Sequence, residues 1–103
     1  MADFMKILQQ AQEMQGRFQK LQDELQQQTV TASSGGGMVT VEANGQGTVR
    51  SIKIDPSVVN AADVEMLEDL LLVAVSEAQK KAQETAQAEM DKLTGGLPFK
   101  LPF

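Results

Sequence analysis

The 103-residue sequence predicts an α+β subunit: one long helix, a three-stranded antiparallel sheet and a second long helix, in that order. Three observations carry this prediction. Apolar residues recur every three or four positions over residues 4–25. Residues 29–54 are rich in Val, Ile and Thr and largely alternate apolar with polar. From Asn60 onward a helical pattern returns and runs to Gly95-Gly96.

In the first helix, residues 4–28, Phe4, Ile7, Ala11, Met14, Phe18, Leu21 and Leu25 are spaced alternately by three and four. That is a seam of a and d positions. Gln fills most of the remaining surface. Gly16 is the weak point, costing about 1 kcal/mol relative to Ala in a helix interior. The β-branched run Thr29-Val30-Thr31 should end the helix near Gln28.

Three strands follow, over residues 29–33, 38–43 and 48–54. Ser34-Gly35-Gly36-Gly37 makes the first connection, and Asn44-Gly45 between the second and third strands is a strong hairpin signal. Val49 is out of phase with Ile52 and Ile54, which predicts a bulge, with Gly47 available for one as well. Asp55-Pro56-Ser57 stops the last strand.

Asn60, with Asp63 three residues on, resembles the N-cap of the second helix. Through residues 66–75 that helix is apolar nearly all round and needs burial. It then thins to an alanine stripe at Ala78, Ala82 and Ala86 and ends with Met90, Leu93 and the Gly95-Gly96 stop. Residues 1–96 read as a single domain. Residues 97–103, Leu-Pro-Phe-Lys-Leu-Pro-Phe, read as an apolar proline-containing tail, either a loose end or a segment that docks into an apolar groove on the dimer or a partner.

Lengths bear on assembly. The first helix spans about 37 Å, whereas a seven-residue strand spans about 23 Å. A three-stranded sheet cannot cover either helix along its length, so a homodimer is expected. Leu67, Leu70, Leu71, Ala74, Val75 and Ala78 are the candidate interface residues.

Composition excludes much chemistry. The chain has neither Cys nor His, so disulfides, thiolate metal sites and imidazole bases are absent. Neither triglycine nor Gly45-Gln46-Gly47 has the spacing of a phosphate-binding loop. Glu65, Glu68 and Asp69 suit the positive end of a helix dipole and need no metal or acid–base role to explain them. No catalytic, cofactor or metal residues are assigned, and an enzyme acting on a small molecule is not expected. No secretory signal precedes Phe4 and no apolar run is long enough to span a bilayer, so a cytoplasmic protein is expected.

The net charge of −5 weighs against nucleic acid until it is placed along the chain. The excess comes from Asp63, Glu65, Glu68, Asp69 and Glu77; elsewhere acids and bases balance. Lys6, Arg17 and Lys20 on the first helix and Lys80 and Lys81 on the second are the candidate phosphate contacts, with solubilising surface charge as the plain alternative.

Several runs together resemble the bacterial YbaB/EbfC family of small nucleoid-associated proteins. These are Met5-Lys6, Gln10-Ala11-Gln12-Glu13-Met14-Gln15 and Arg17-Phe18-Gln19-Lys20-Leu21-Gln22-Asp23-Glu24-Leu25 in the first helix. Gly37-Met38-Val39-Thr40-Val41, Asn44-Gly45 and Ile54-Asp55-Pro56-Ser57 resemble the sheet; Met66-Leu67-Glu68-Asp69-Leu70 and the Pro-Phe-Lys-Leu-Pro-Phe ending resemble the second helix and tail. The resemblance implies an α-β-β-β-α subunit in a tweezer-shaped homodimer. It also implies binding of duplex DNA with low or modest sequence preference, altering DNA conformation, nucleoid organisation and gene expression. Phosphate contacts carry over to Arg17, Lys20, Lys80 and Lys81, and less closely to Lys6. A second class stays open at this point: a small dimeric coiled-coil adaptor or prefoldin-like holdase without DNA affinity, which the helix–strands–helix order and Gln-rich seam also fit.

Overall fold

The computed structural model describes residues 2–95. The tail at 97–103 and Gly96 of the expected helix stop lie outside the described residues. Helix α1 (Ala2–Gln27) leads into β1 (Thr29–Ser34), a 3-10 turn (Gly35–Gly37), β2 (Val39–Asn44), β3 (Val49–Ile54), a second 3-10 turn (Pro56–Val58) and helix α2 (Val64–Thr94). The α-β-β-β-α order is the predicted one. Helix α1 runs unbroken through Gly16, whose surroundings are open.

The sheet is antiparallel in the order β1-β2-β3. Strand β2 opposes β1 from Thr29↔Asn44 to Ser34↔Val39 and opposes β3 from Val39↔Ile54 to Ala43↔Val49. The register shifts between Glu42 and Ala43, leaving Arg50 as the extra residue on β3. This is the bulge that the phase of Val49 predicted. It returns Val49 to the face of Ile52 and Ile54, alongside Val39, Val41 and Ala43. Thr31, Ser33, Thr40, Glu42, Ser51 and Lys53 occupy the opposite, polar face. Such a sheet packs on one side only.

Helix α2 lies across the apolar face over β1 and β2, scarcely reaching β3. Ala74 and Ala78 are fully buried against Ala32, Val39, Val41 and Ala43, and their small side chains let helix and sheet approach closely. This corrects the candidate dimer set: Ala74 and Ala78 have no surface left for a second copy. Leu67, Leu70, Leu71 and Val75 are half-buried at the rim of the same core. The apolar surface that remains around this body includes Leu72 and Val73 on α2 and Ile52 and Ile54 on β3, besides Met38, Val59, Val64 and Met66.

Two local expectations change. The N-cap of α2 is Asp63, whose carboxylate accepts from the Met66 amide at 3.2 Å; Asn60 instead closes the preceding turn, accepting from the Ala62 amide at 2.9 Å. Gly95 keeps a right-handed helical conformation (φ −63°), so it is not a left-handed terminator. Asp55 caps the second 3-10 turn. The Ser57 amide donates to its carboxylate at 2.8 Å, and this bond lowers the Asp55 pKa.

The β2–β3 hairpin is anchored by Asn44, whose side-chain oxygen accepts from the amides of Gln46 (2.9 Å) and Thr48 (3.0 Å). The left-handed residue is Gly47 (φ 88°), not Gly45. The loop is therefore a four-residue turn closed by Gly47 N–H to the Asn44 carbonyl, rather than a two-residue turn centred on Asn-Gly. Gly45 serves another end: its amide donates to the Leu25 carbonyl at 2.7 Å, fastening the hairpin tip to the last turn of α1.

Candidate nucleic-acid interface

From that fastening α1 runs back along α2, antiparallel to it. Leu21 and Leu25 are buried, and Met14 and Phe18 are half-buried. Ala82 on α2 is buried, and Ala86 lines a common cleft with Leu25. The described molecule is 73 Å long and only 21 by 16 Å across, because the helices extend well past the sheet. Beyond Arg17 the N-terminal half of α1 projects as an arm, with Phe4, Met5, Ile7 and Leu8 exposed.

Where the helices run together, Arg17 and Lys20 from α1 meet Lys92 from α2 in one cleft. Glu24 and Glu89 share it, and Leu21 and Leu93 complete its lining. Arg17 and Lys20 share a helix face by their spacing of three. Lys92 sits 3.5 Å from Glu89 in an exposed pair of little energetic weight, so it is free to exchange that partner for an external anion. Lys92, near the end of the second helix, is in sequence one more cation whose spacing could meet phosphates, but the family resemblance carries no contact over to it; the antiparallel packing sets it beside Arg17.

The other cations fall into order around this cleft. Lys6 precedes Arg17 by eleven residues and Lys81 precedes Lys92 by eleven, and each interval is three helical turns, or about 16 Å. Each pair therefore shares one helix face. Because the helices are antiparallel, Lys6, the Arg17/Lys20/Lys92 cluster and Lys81 are strung along the long axis over about 33 Å. The Lys81 ammonium donates to the Thr31 carbonyl at 2.9 Å, which holds it at the β1 edge. Lys80 stands off this line. It lies two residues from both buried Ala78 and buried Ala82, on the opposite face of α2.

The acidic excess lies elsewhere. Asp63, Glu65, Glu68 and Asp69 occupy the start of α2, and Asp69 is about 34 Å along the helix from Lys92; Glu77, the fifth acid of the excess, lies one turn before Lys81. Arg50 is engaged with the Gln26 carbonyl at the end of α1.

A line of cations on two paired helices, away from the acidic N-terminal end of α2 though interleaved with Glu24, Glu77 and Glu89, is chemistry suited to a polyanion. The comparisons with known proteins agree. Residues 1–97 match the model of the YbaB/EbfC DNA-binding family. A nucleoid-associated protein of Gemmatimonas aurantiaca is 54% identical over 103 residues, covering 98% of this chain and 99% of the relative. Another from Thermodesulfovibrio yellowstonii is 58% identical over 99 residues, covering 96% and 85% respectively. The crystal structure of an uncharacterised protein from Helicobacter pylori superposes with a TM-score of 0.81 at 27% identity, over 89% of this chain and 97% of that one. Among the described residues no helix is long and apolar enough to cross a membrane. The chain belongs to the YbaB/EbfC DNA-binding family.

Proposed function

We propose that the chain works as a homodimer in the cytoplasmic nucleoid, gripping duplex DNA by its phosphates with low sequence preference and so altering DNA conformation and gene expression. The observation that carries this reading is the convergence of Arg17, Lys20 and Lys92 in one cleft, flanked along the same axis by Lys6 and Lys81. Their span of about 33 Å is close to one turn of B-form duplex. Backbone contacts of this kind position a protein without reading bases. The interspersed Glu24 and Glu89 keep the grip modest, and neither a small-molecule substrate nor a membrane enters this reading.

Six cleft cations in a dimer would neutralise about six phosphates, so affinity should fall about a thousandfold between about 50 and 200 mM salt. A mobility-shift titration across that series tests the placement. Arg17→Glu with Lys20→Glu and Lys92→Glu should abolish the shift, while Lys80→Glu should leave most of it. Undiminished binding by the triple variant would refute the assignment. Absence of wild-type binding at low salt, with suppression of client aggregation, would return the adaptor reading.

The dimer rests on uncovered apolar surface. Gln79 donates to the Gly47 carbonyl in the β2–β3 turn at 3.2 Å, and Leu72 is two turns earlier on the same face of α2. Leu72, 67% exposed, thus lies on the side of β3, whose Ile52 and Ile54 α2 leaves open. A second copy covering this strip would bury it. Sedimentation equilibrium should give a dimer at micromolar concentration and a monomer for Leu72→Asp with Ile52→Asp. A folded wild-type monomer there would sink the proposal.

A further inference from the structure

The N-terminal arm of α1 carries a seam that α2 does not reach. Leu93 is already level with Arg17 and Leu21 and α2 ends at Thr94, whereas Phe4, Ile7 and Leu8 are 66%, 63% and 45% exposed. Phe4, Ile7, Ala11 and Met14 keep the three-and-four spacing of the buried members Leu21 and Leu25, so the face that meets α2 further on is largely bare here. About three turns of helix with an uncovered apolar side are marginal by themselves in water.

This seam is complementary to itself in one arrangement. In an antiparallel pair with a two-fold axis at the level of Gln9, Phe4 meets Met14 of the second copy and Ile7 meets its Ala11, giving four apolar layers. The two-fold axis sets each flank of the seam against the same flank of the other helix. One flank brings Leu8 against Leu8. The other brings Asp3 against Arg17 at both ends, about 3 Å apart along the axis, with Gln10 against Gln10 between them. Among the described residues neither Asp3 nor Arg17 has an ion-pair partner. A shift of one heptad leaves only two layers in one direction. In the other it sets Asp3 against Glu24, over a stretch of seam that α2 already covers. A parallel pair joins no opposite charges and brings both α2 helices to the same level.

The antiparallel pair also leaves α2 in place. Since α1 and α2 are themselves antiparallel, the arm of the second copy enters the bare seam in line with α2. Its N-terminus follows the α2 C-terminus, so opposite ends of two helix dipoles meet.

We propose that the α1 arms of two copies pair antiparallel through Phe4, Ile7, Leu8, Ala11 and Met14, held in register by Asp3 and Arg17. This surface is separate from the strip of Leu72 and Ile52, so it joins dimers to one another, and it does not depend on DNA.

Four layers make an interface at the small end of the specific range, so the pairing should show at about 200 μM rather than at about 2 μM. Sedimentation equilibrium of the full chain without DNA at both concentrations tests it. The mean mass should rise at the higher concentration, and should not rise for Ile7→Asp with Leu8→Asp. Asp3→Lys should weaken the step about tenfold, and Asp3→Lys with Arg17→Glu should regain most of it, which an unspecific apolar contact would not do. A wild-type mass that stays constant, or a double swap that associates no better than Asp3→Lys, overturns the proposal. Leu72→Asp with Ile52→Asp should still double its mass at the higher concentration, so the arm contact and the body dimer are read apart; a monomer there also overturns the arm pairing.

Discussion

Replacing Gly45 with Ala should loosen the fastening between sheet and arm. A Cβ at this position would lie 2.7 Å from the Leu25 carbonyl oxygen, 3.0 Å from Leu25 Cδ2 and 3.1 Å from Leu25 Cα. Two of those atoms are backbone and cannot swing aside, so the hairpin must withdraw by several tenths of an ångström. Withdrawal weakens the bond from the Gly45 amide to that same carbonyl, a net loss of about 1 kcal/mol. Residual crowding adds about 1–3 kcal/mol. Ala restricts the unfolded chain and returns about 0.5–1 kcal/mol. The balance is about 1–3.5 kcal/mol, or a melting point lower by about 5–25 °C for a domain of this size.

Denaturant and thermal unfolding at one fixed protein concentration measure this effect, since dimer formation would otherwise shift the midpoint. Gly47→Ala is the comparison. There a Cβ meets nothing within 4 Å, and only the left-handed φ of 88° resists, at about 1–2 kcal/mol. If Gly45→Ala lies within about 0.5 kcal/mol of the wild type, beyond the usual reach of a neutral surface change, the close contact is not what keeps glycine at that position.

Two further substitutions probe the packing and the cap. Ala78→Leu would force extra carbons between α2 and the sheet where no space remains, and a loss of about 2–3 kcal/mol in chemical denaturation is expected. Asp63→Ala removes the α2 cap and should cost about 1 kcal/mol, whereas Asn60→Ala should cost less because it caps only a turn. Equal effects of the two would mean that Asn60 contributes to starting the helix after all.

Much of the subunit is legible along the chain because its signals are local. Heptad spacing marks α1, alternation marks β1 to β3, and the phase slip at Val49 announces the bulge at Arg50. Other features escape because they depend on residues far apart in sequence. Asn44-Gly45 has the composition of a two-residue turn, yet Gly45 is needed for its approach to Leu25, and Gly47 takes the left-handed conformation. Ala74 and Ala78 look like one part of an apolar cylinder awaiting a partner. Which side of that cylinder meets the sheet is a matter of packing, and it leaves Leu72 outside.

The candidate site divides in the same way. That Lys6, Arg17, Lys20, Lys80 and Lys81 are cations on helices, and that the acidic excess is confined to the first half of the second helix, follows from the sequence alone. Their alignment does not, because periodicity orders residues on one helix but says nothing about how two helices are set side by side. The antiparallel packing of α1 on α2 brings Lys92 to Arg17, carries the line on to Lys81 and leaves Lys80 on the far face. Local repeat and charge thus determined the elements and their chemistry; the tertiary structure decided which charges share a surface, since only packing relates helices that are distant along the chain.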